Sequence, residues 1–205
     1  MSVIAHGPIF YLYGDDMEDY ILAFDEINAL TAYSYQSLLE DGKDASAVVD
    51  DVLSILISAY TLGTKDAGNM LNHTIPVDVD SMYEVIFLVI EGETFEDRVM
   101  NHIRDNDLRG LQVLVESEFH RVYNASIETG AKWYESDTKT SVTKSWITVG
   151  DARVRETHSY LEGASVGLDE HFYTFDGDHA AYPGGFTKAS NNVNCRCVIK
   201  VQSGT

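Results

Sequence analysis

Basic residues are scarce in this sequence. Of its 205 residues, 14 are Lys or Arg and 33 are Asp or Glu, which gives a formal net charge of −19. A charge of this size and sign repels DNA phosphates and anionic lipids, so we expect no direct binding to DNA or to a membrane. Prolines are also few, at three, and hydrophobic residues make up 44%. This composition is typical of a folded globular protein and excludes disordered and collagen-like chains.

Targeting signals and disulfide frameworks are missing as well. No run of consecutive apolar residues approaches the length of about 18 that a membrane span needs, and the N-terminal sequence lacks the order of a signal peptide. The only cysteines are Cys195 and Cys197. We therefore expect a protein of the cytoplasm, in a reducing compartment, whose two thiols are available for metal or thiol chemistry.

The acidic residues are concentrated in the first half of the chain. Before Arg98 there are two basic residues against nineteen acidic ones, whereas the segment from Lys144 to Lys200 holds six against seven. Such an acidic region is typical of a soluble, self-repelling helical face, and it is also compatible with a basic partner surface.

Apolar residues recur at three- and four-residue spacing through the first two thirds of the chain, which predicts five helices. After a turn at 14–16, the first runs from about Tyr20 to Gly42. The second begins at a cap, Asp44 or Ser46, and Gly63 and Gly68 weaken its continuation.

The remaining three helices are also predicted from their starts. Asp80 or Ser81 caps the third helix, and Thr94 with Asp97 forms a capping box for the fourth. The longest helix runs from Asp107 to about residue 134.

Beyond residue 134 the pattern changes to that of short strands. Alternating β-favouring residues around Trp146 predict a strand or hairpin. We predict a helix over 151–162 that ends at Gly163, and further short strands over 172–175 and 197–201. The predicted fold class is α+β, with an N-terminal helical bundle whose long helix leads into a small C-terminal module. We divide the chain into an acidic helical region, 1–135, and a small α+β module, 136–205.

Several short motifs follow one another in the second half of the chain. They are E-S-E-F-H-R-V-Y-N at 116–124, K-S-W-I-T at 144–148, D-A-R-V-R-E-T-H at 151–158, Gly163 and Asp169 before Phe172, and N-C-R-C at 194–197. Their order resembles the C-terminal region of the Mu F-like family of phage minor head proteins, over most of 108–201. The motif residues that match are Glu118, Trp146, Asp151, Arg153, Asn194 and Arg196.

The resemblance implies a structural virion protein rather than an enzyme. Such a protein would be assembled in the host cytoplasm and act in head morphogenesis at the portal vertex, with the portal protein and possibly the scaffold or major capsid protein as partners. Two positions depart from the family pattern. Glu116 and Ser117 stand where many members carry arginine and threonine, and Arg155 and His158 stand where some carry a C-x-x-C pair.

Three residues of this region are candidate zinc ligands, namely His158, Cys195 and Cys197, because Zn²⁺ prefers thiolate and imidazole donors. The fourth ligand is left open. Candidates for it are Asp151, Asp169, His171 and His179. A C-x-C pair with one histidine departs from the usual C-x-x-C spacing, which favours the alternative that the cysteines are small buried residues and His158 is hydrogen-bonded in a helix.

An enzyme of another class is the alternative function, either zinc-dependent or thiol-dependent. In the thiol version His158 is the base for Cys195 or Cys197, and Asp151 or Asn194 orients it. The sequence has no phosphate-binding loop, dinucleotide fingerprint or serine nucleophile motif. Together with what the resemblance implies, this leads us to predict that the chain is not an enzyme.

The other polar motifs have structural interpretations. His120 and Asn124 share one face of the long helix, which we interpret as a polar helix face. Asp151 is expected to cap the next helix while Arg153 binds a carboxylate. Asp176 and Asp178 belong to a turn rather than a calcium loop. Trp146 is expected in the core.

Overall fold

The computed structural model describes the backbone of residues 17–204 and the side chains of residues 26–204. The predicted turn at 14–16 lies outside this range. The helices are α1 (Met17–Glu40), α2 (Ala45–Leu71), α3 (Val79–Ile86), α4 (Phe95–Arg104), α5 (Leu108–Thr138), α6 (Glu156–Ser159) and α7 (Ala189–Asn192). The strands are β1 (Val142–Ile147), β2 (Ser165–Gly167), β3 (Phe172–Tyr173), β4 (His179–Ala180) and β5 (Val198–Ser203). The α+β fold class is confirmed.

The helical part is organised around α5, which packs along the length of α2. The helix α2 begins at its predicted cap, Asp44, and continues through both of its glycines to Leu71. A side chain at Gly63 would place its Cβ 2.0 Å from Ser126 Oγ and 2.4 Å from the carbonyl oxygen of Tyr123. The glycine that weakens α2 as an isolated helix thus allows its backbone to approach α5 closely.

By length and composition α2 could also cross a membrane, with a mean hydropathy of 1.5 over its most apolar window. Its buried residues include Val52, Leu56 and Ala59, none of which has accessible surface. They belong to the hydrophobic core that α2 shares with α5. Core packing therefore accounts for much of the apolar composition of this helix.

The starts of α3 and α4 test the predicted caps. The prediction for α3 was wrong, because Asp78 is the cap: its carboxylate accepts a hydrogen bond from the backbone N–H of Asp80 at 3.2 Å. Ser81 instead donates its hydroxyl to Asp78 at 2.6 Å. The capping box of α4 is confirmed, with Thr94 and Asp97 each accepting from the other's backbone N–H at 3.1 Å.

The C-terminal module is built on a three-stranded antiparallel sheet in the order β2-β1-β5. The strand predicted around Trp146 is confirmed as β1. The prediction of a helix over 151–162 was wrong, because only the four residues of α6 are helical there. Asp151 holds the N–H of Arg153 in a turn at 2.9 Å, and Arg155 donates to the carbonyls of Ser190 and Val193, each at 2.6 Å.

One hydrophobic core extends through both halves of the chain. It includes Leu56 in α2, Phe119 and Val122 in α5, and Trp146 and Ile199 in the sheet. The boundary predicted between 135 and 136 falls within the last turn of α5, so this helix belongs to both halves.

Candidate functional site

The motif residues of the C-terminal module meet beside the end of β1. Asp151 follows this strand, and Arg196 lies between the two cysteines before β5. The Arg196 guanidinium donates two hydrogen bonds of 2.8 Å to the two oxygens of Asp151. This bidentate pair fixes the N-C-R-C segment to the turn after β1.

The Arg196 guanidinium holds the pKa of the Asp151 carboxyl well below its usual range, with a smaller contribution from Arg153. The predicted role of Asp151 as a helix cap was wrong, because the cap of α6 is Arg155, which makes no side-chain cap bond. Arg153 does approach the Asp151 carboxylate, at 3.2 Å, but its side chain is 77% exposed. The arginine with the stronger contact is therefore Arg196.

The three candidate ligands converge in the interior of the module. His158 Nδ1 lies 3.4 Å from the sulfur of Cys195 and 3.5 Å from that of Cys197. The ligand atoms of all three residues lie within 4.8 Å of one another, and the three side chains are buried. Asn194, which precedes them, has a φ of 56° and is exposed. Its left-handed backbone, which asparagine tolerates, turns the chain into the C-x-C segment.

The two thiols influence each other's protonation. Burial by itself raises the pKa of Cys195, but hydrogen bonds from Cys197, His120 and His158 lower it well below the usual value. The pKa of Cys197 is raised by its hydrogen bond to Cys195, by burial and by the neighbouring negative charge. The two thiols therefore titrate as a coupled pair and not independently.

Trp146 forms one wall of this cluster and has no accessible surface, so its predicted place in the core is confirmed. Its ring packs edge-on against His158 and Phe172, each at 5.3 Å between centroids. Phe186 stacks on His158 at 5.3 Å between centroids and lies 5.6 Å from Trp146. The imidazole therefore packs against two aromatic rings that also contact each other.

The interpretation of His120 and Asn124 as a polar surface was wrong. Their exposed fractions are 1% and 0%, because this face of α5 packs against the C-terminal module. Asn124 accepts a hydrogen bond from the backbone N–H of Ile199 at 3.0 Å, and His120 contributes to lowering the pKa of Cys195. The sequence signal for this contact was the shared helix face, but the partner lies more than 70 residues away.

Glu118 lies on the neighbouring face of α5 and binds two arginines. It accepts from Arg98 at 2.8 Å and from two nitrogens of Arg121 at 2.7 and 3.0 Å. Burial raises the pKa of Glu118, but Arg121 and Arg98 together lower it below the ordinary value. Glu116, where the family pattern has arginine, is hydrogen-bonded by the Asn28 side chain on α1.

The surroundings of the cluster leave little space for a substrate. A cavity of about 10 Å³ lies beside it, lined in part by Arg155, His158 and Cys195. This is about the volume that one water molecule occupies, whereas small-molecule sites enclose about 300 Å³ or more. Since both sulfurs are buried, the cluster lacks the access that a cysteine nucleophile needs.

Fold and site together define an α+β module in which a long helix and a small sheet share buried polar and sulfur-containing residues. The family of Phage Mu protein F like proteins matches residues 84–200 of this chain, which is more than half of its length. The chain belongs to this family, as the motifs predicted.

Two curated relatives are similar to the chain. The NAD(+)–arginine ADP-ribosyltransferase EFV of Enterococcus faecalis (strain ATCC 700802 / V583) is 26% identical over 159 residues, 75% of this chain and 32% of that protein. The minor head protein of Bacillus phage SPP1 is 31% identical over 83 residues, 40% of this chain and 26% of that protein. The chain thus spans about a third or less of the length of these relatives. No solved structure matches it.

Proposed function

We propose that this chain is a minor head protein that acts in head morphogenesis at the portal vertex, as a structural component and not as an enzyme. Membership of the family of Phage Mu protein F like proteins and the similarity to a phage minor head protein support a role in the phage head. Assembly takes place in the host cytoplasm, and the mature protein is part of the virion. The main observation in support of a contact with the portal is an exposed apolar surface on and around α3.

This α3 surface consists of large apolar side chains that are 41–57% exposed. They are Val77, Val79, Tyr83, Phe87, Leu88 and Val89. Tyr83 and Phe87 lie one helical turn apart and stack at 5.5 Å between ring centroids. A concentration of exposed apolar residues in one short segment is typical of a site that a partner protein covers.

The α3 surface is fixed in place by the helical core. Ile86, next to Phe87 in the sequence, is 1% exposed, and Arg121 of α5 donates to the carbonyl oxygen of Val85 at 2.9 Å. A surface that is already ordered loses little conformational entropy when it binds.

The exposed charges of the segment that carries the α3 surface are all of one sign. Asp78, Asp80, Glu84, Glu91 and Glu93 are exposed in this segment, and the sequence has no basic residue between Lys65 and Arg98. The complementary partner has an apolar groove with Lys or Arg residues at its rim. We assign this partner to the portal protein; the scaffold and major capsid proteins are the competing partners.

The proposed structural role rests on the burial of the reactive side chains in the C-terminal module. Its thiols and His158 are buried beside a cavity of about 10 Å³, and Asp151 is bound by Arg196. The transferase activity named for the Enterococcus relative belongs to a protein of which this chain covers 32%.

Co-purification during phage production tests the contact with the portal. We expect the tagged chain to enrich the portal protein, and the double variant Tyr83→Ser/Phe87→Ser to lose it. Tyr33→Ser is the matched control, because Tyr33 is 69% exposed on α1, away from the α3 surface. Circular dichroism confirms that the variants are folded.

Three outcomes contradict the proposal. The first is that the wild-type chain does not enrich the portal protein. The second is that it enriches the scaffold or major capsid protein instead, and the third is that the control variant loses the portal protein as the double variant does.

We also expect the complex to dissociate as salt is raised, since screening weakens contacts between opposite charges.

A further inference from the structure

We propose that His158, Cys195 and Cys197 bind a structural Zn²⁺ ion and that His120, from α5, supplies the fourth ligand. This inference is independent of the α3 surface, because the two sets of residues do not overlap. The sequence had favoured the alternative, in which the two cysteines are small buried residues and not metal ligands.

The separations between the donor atoms fit a tetrahedral ion. With Zn–S bonds of about 2.3 Å and Zn–N bonds of about 2.0 Å, the sulfur and nitrogen of a tetrahedral site are about 3.5 Å apart. The observed distances from His158 Nδ1 to the two sulfurs are 3.4 and 3.5 Å. These two separations are therefore those that the ion requires, and the ligand atoms of all three residues lie within 4.8 Å of one another.

The chemistry and burial of the donors favour zinc in a structural role. Two thiolates and imidazole nitrogen are ligands that select Zn²⁺ over magnesium or calcium. The side chains of His158, Cys195 and Cys197 are 1–5% exposed, as in a closed structural site without an open position for substrate.

His120 is the described residue best placed to be the fourth ligand. It is 1% exposed, and Asn124, one turn further along the same face of α5, has its side-chain nitrogen 3.5 Å from the carbonyl oxygen of Cys197. The chain passes close to its ring at Gly184, where a Cβ would lie 3.2 Å from His120 Cδ2 and 2.9 Å from Arg121 Cα. The glycine, with a φ of +88°, thus leaves the space that the imidazole occupies.

The fourth ligands suggested by the sequence fit less well. Asp151 is occupied by the bidentate contact with Arg196. His171 and His179 are exposed and pack against each other at 5.3 Å between centroids, and Asp169 is exposed as well. Because His120 belongs to α5, an ion bound with it would join the long helix to α6 and to the segment before β5.

Elemental analysis of the chain purified under reducing conditions tests the site. We expect one zinc ion per chain. Cobalt substituted for zinc should give thiolate charge-transfer bands and the intense visible bands of four-coordinate Co²⁺. Wild-type protein that contains no zinc and takes up no Co²⁺ would overturn the proposal without the need for any variant.

Variants assign the ligands. We expect Cys195→Ser/Cys197→Ser and His158→Ala to lose the metal, whereas His171→Ala/His179→Ala, the exposed histidine pair, retains it as the matched control. Loss of the metal from the control would place the ion at the protein surface and contradict the site. If a cysteine variant does not fold, removal of zinc from the wild type by a chelator and its restoration replace that measurement.

His120 has its own test. We expect His120→Ala to keep the thiolate charge-transfer bands of bound Co²⁺ but to bind it at least about tenfold more weakly, with altered visible bands. Unchanged affinity and unchanged visible bands would exclude His120 as a ligand.

Discussion

Asp178 shows how one side chain organises the loop between β4 and α7. Its carboxylate accepts hydrogen bonds from the backbone N–H groups of His179, Thr187 and Lys188, at 2.9 to 3.2 Å. The Thr187 hydroxyl and the Asn191 side chain donate to it at 2.7 and 2.9 Å. The prediction that Asp178 belongs to a turn and not to a calcium loop agrees with this pattern, since its oxygens already have protein donors.

The stability that Asp178 provides should depend on pH. Burial by itself raises the pKa of this carboxyl, but the hydrogen bonds from Asn191 and Thr187 lower it below the ordinary value. A carboxylate whose pKa is lowered by folding stabilises the protein above its unfolded pKa, about 3.9, and this contribution is lost as the pH falls further.

We therefore expect Asp178→Asn to lower the free energy of unfolding by about 1 to 3 kcal/mol at neutral pH. The difference from the wild type should narrow as the pH falls below about 4. Urea unfolding across this range measures both effects, with Asp50→Asn, on the exposed face of α2, as the control for charge. A difference that does not change with pH would contradict the assigned role.

At the scale of elements, α5 connects most of the others. Glu118 binds Arg98 in α4, Asn124 binds the backbone of β5, and Glu128 binds Lys144 in β1 at 2.5 Å. Lys144 has no accessible surface, and burial lowers its pKa against the opposing effect of Glu128. The orientation of the sheet on α5 is thus fixed by polar contacts as well as by apolar packing.

The buried pair of Lys144 and Glu128 allows a test of this connection. Glu128→Leu leaves the ammonium group buried without its carboxylate, so we expect a loss of about 3 to 5 kcal/mol in the free energy of unfolding. The double variant Lys144→Met/Glu128→Leu should recover most of this loss, since it removes both charges. Denaturant unfolding measures each value.

Lys132→Met is the control for that experiment. Lys132 lies 3.4 Å from the same carboxylate, but 49% of its side chain is exposed. Its loss should therefore cost less than about 1 kcal/mol. A double variant as unstable as Glu128→Leu alone would show that the pair is not what positions β1.

At the scale of the whole molecule, the shared core and the predicted division into two regions lead to different expectations for thermal unfolding. The division into 1–135 and 136–205 stays a prediction. The core, however, contains residues of α2, α5 and the sheet in one cluster. Two units that share a core unfold together, so we expect one calorimetric transition with equal calorimetric and van't Hoff enthalpies. Two resolved transitions would contradict this and support the division.

Local patterns in the sequence were sufficient for most of the helices. The capping box at Thr94 and Asp97 involves residues three positions apart, and the apolar spacing of α5 depends only on its own turns. The α3 cap was wrong by two residues although its contacts are local, whereas the helix predicted over 151–162 failed where distant partners hold the backbone. Residues 151–154 form a turn in which Asp151 accepts from the N–H of Arg153, and the same carboxylate binds Arg196, 45 positions away, a contact that no local propensity contains.

The sequence by itself determined the family, through the order of its motifs, and the α+β fold class, through its change in hydrophobic period. Only the tertiary structure decided which polar residues are buried and with what partner. His120 faces Cys195, Lys144 faces Glu128 and Asn124 faces Ile199, although 16 to 75 positions separate the members of these pairs. The reason is that helix and strand periods set which residues share a face, whereas the packing of α5 on the sheet sets what that face meets.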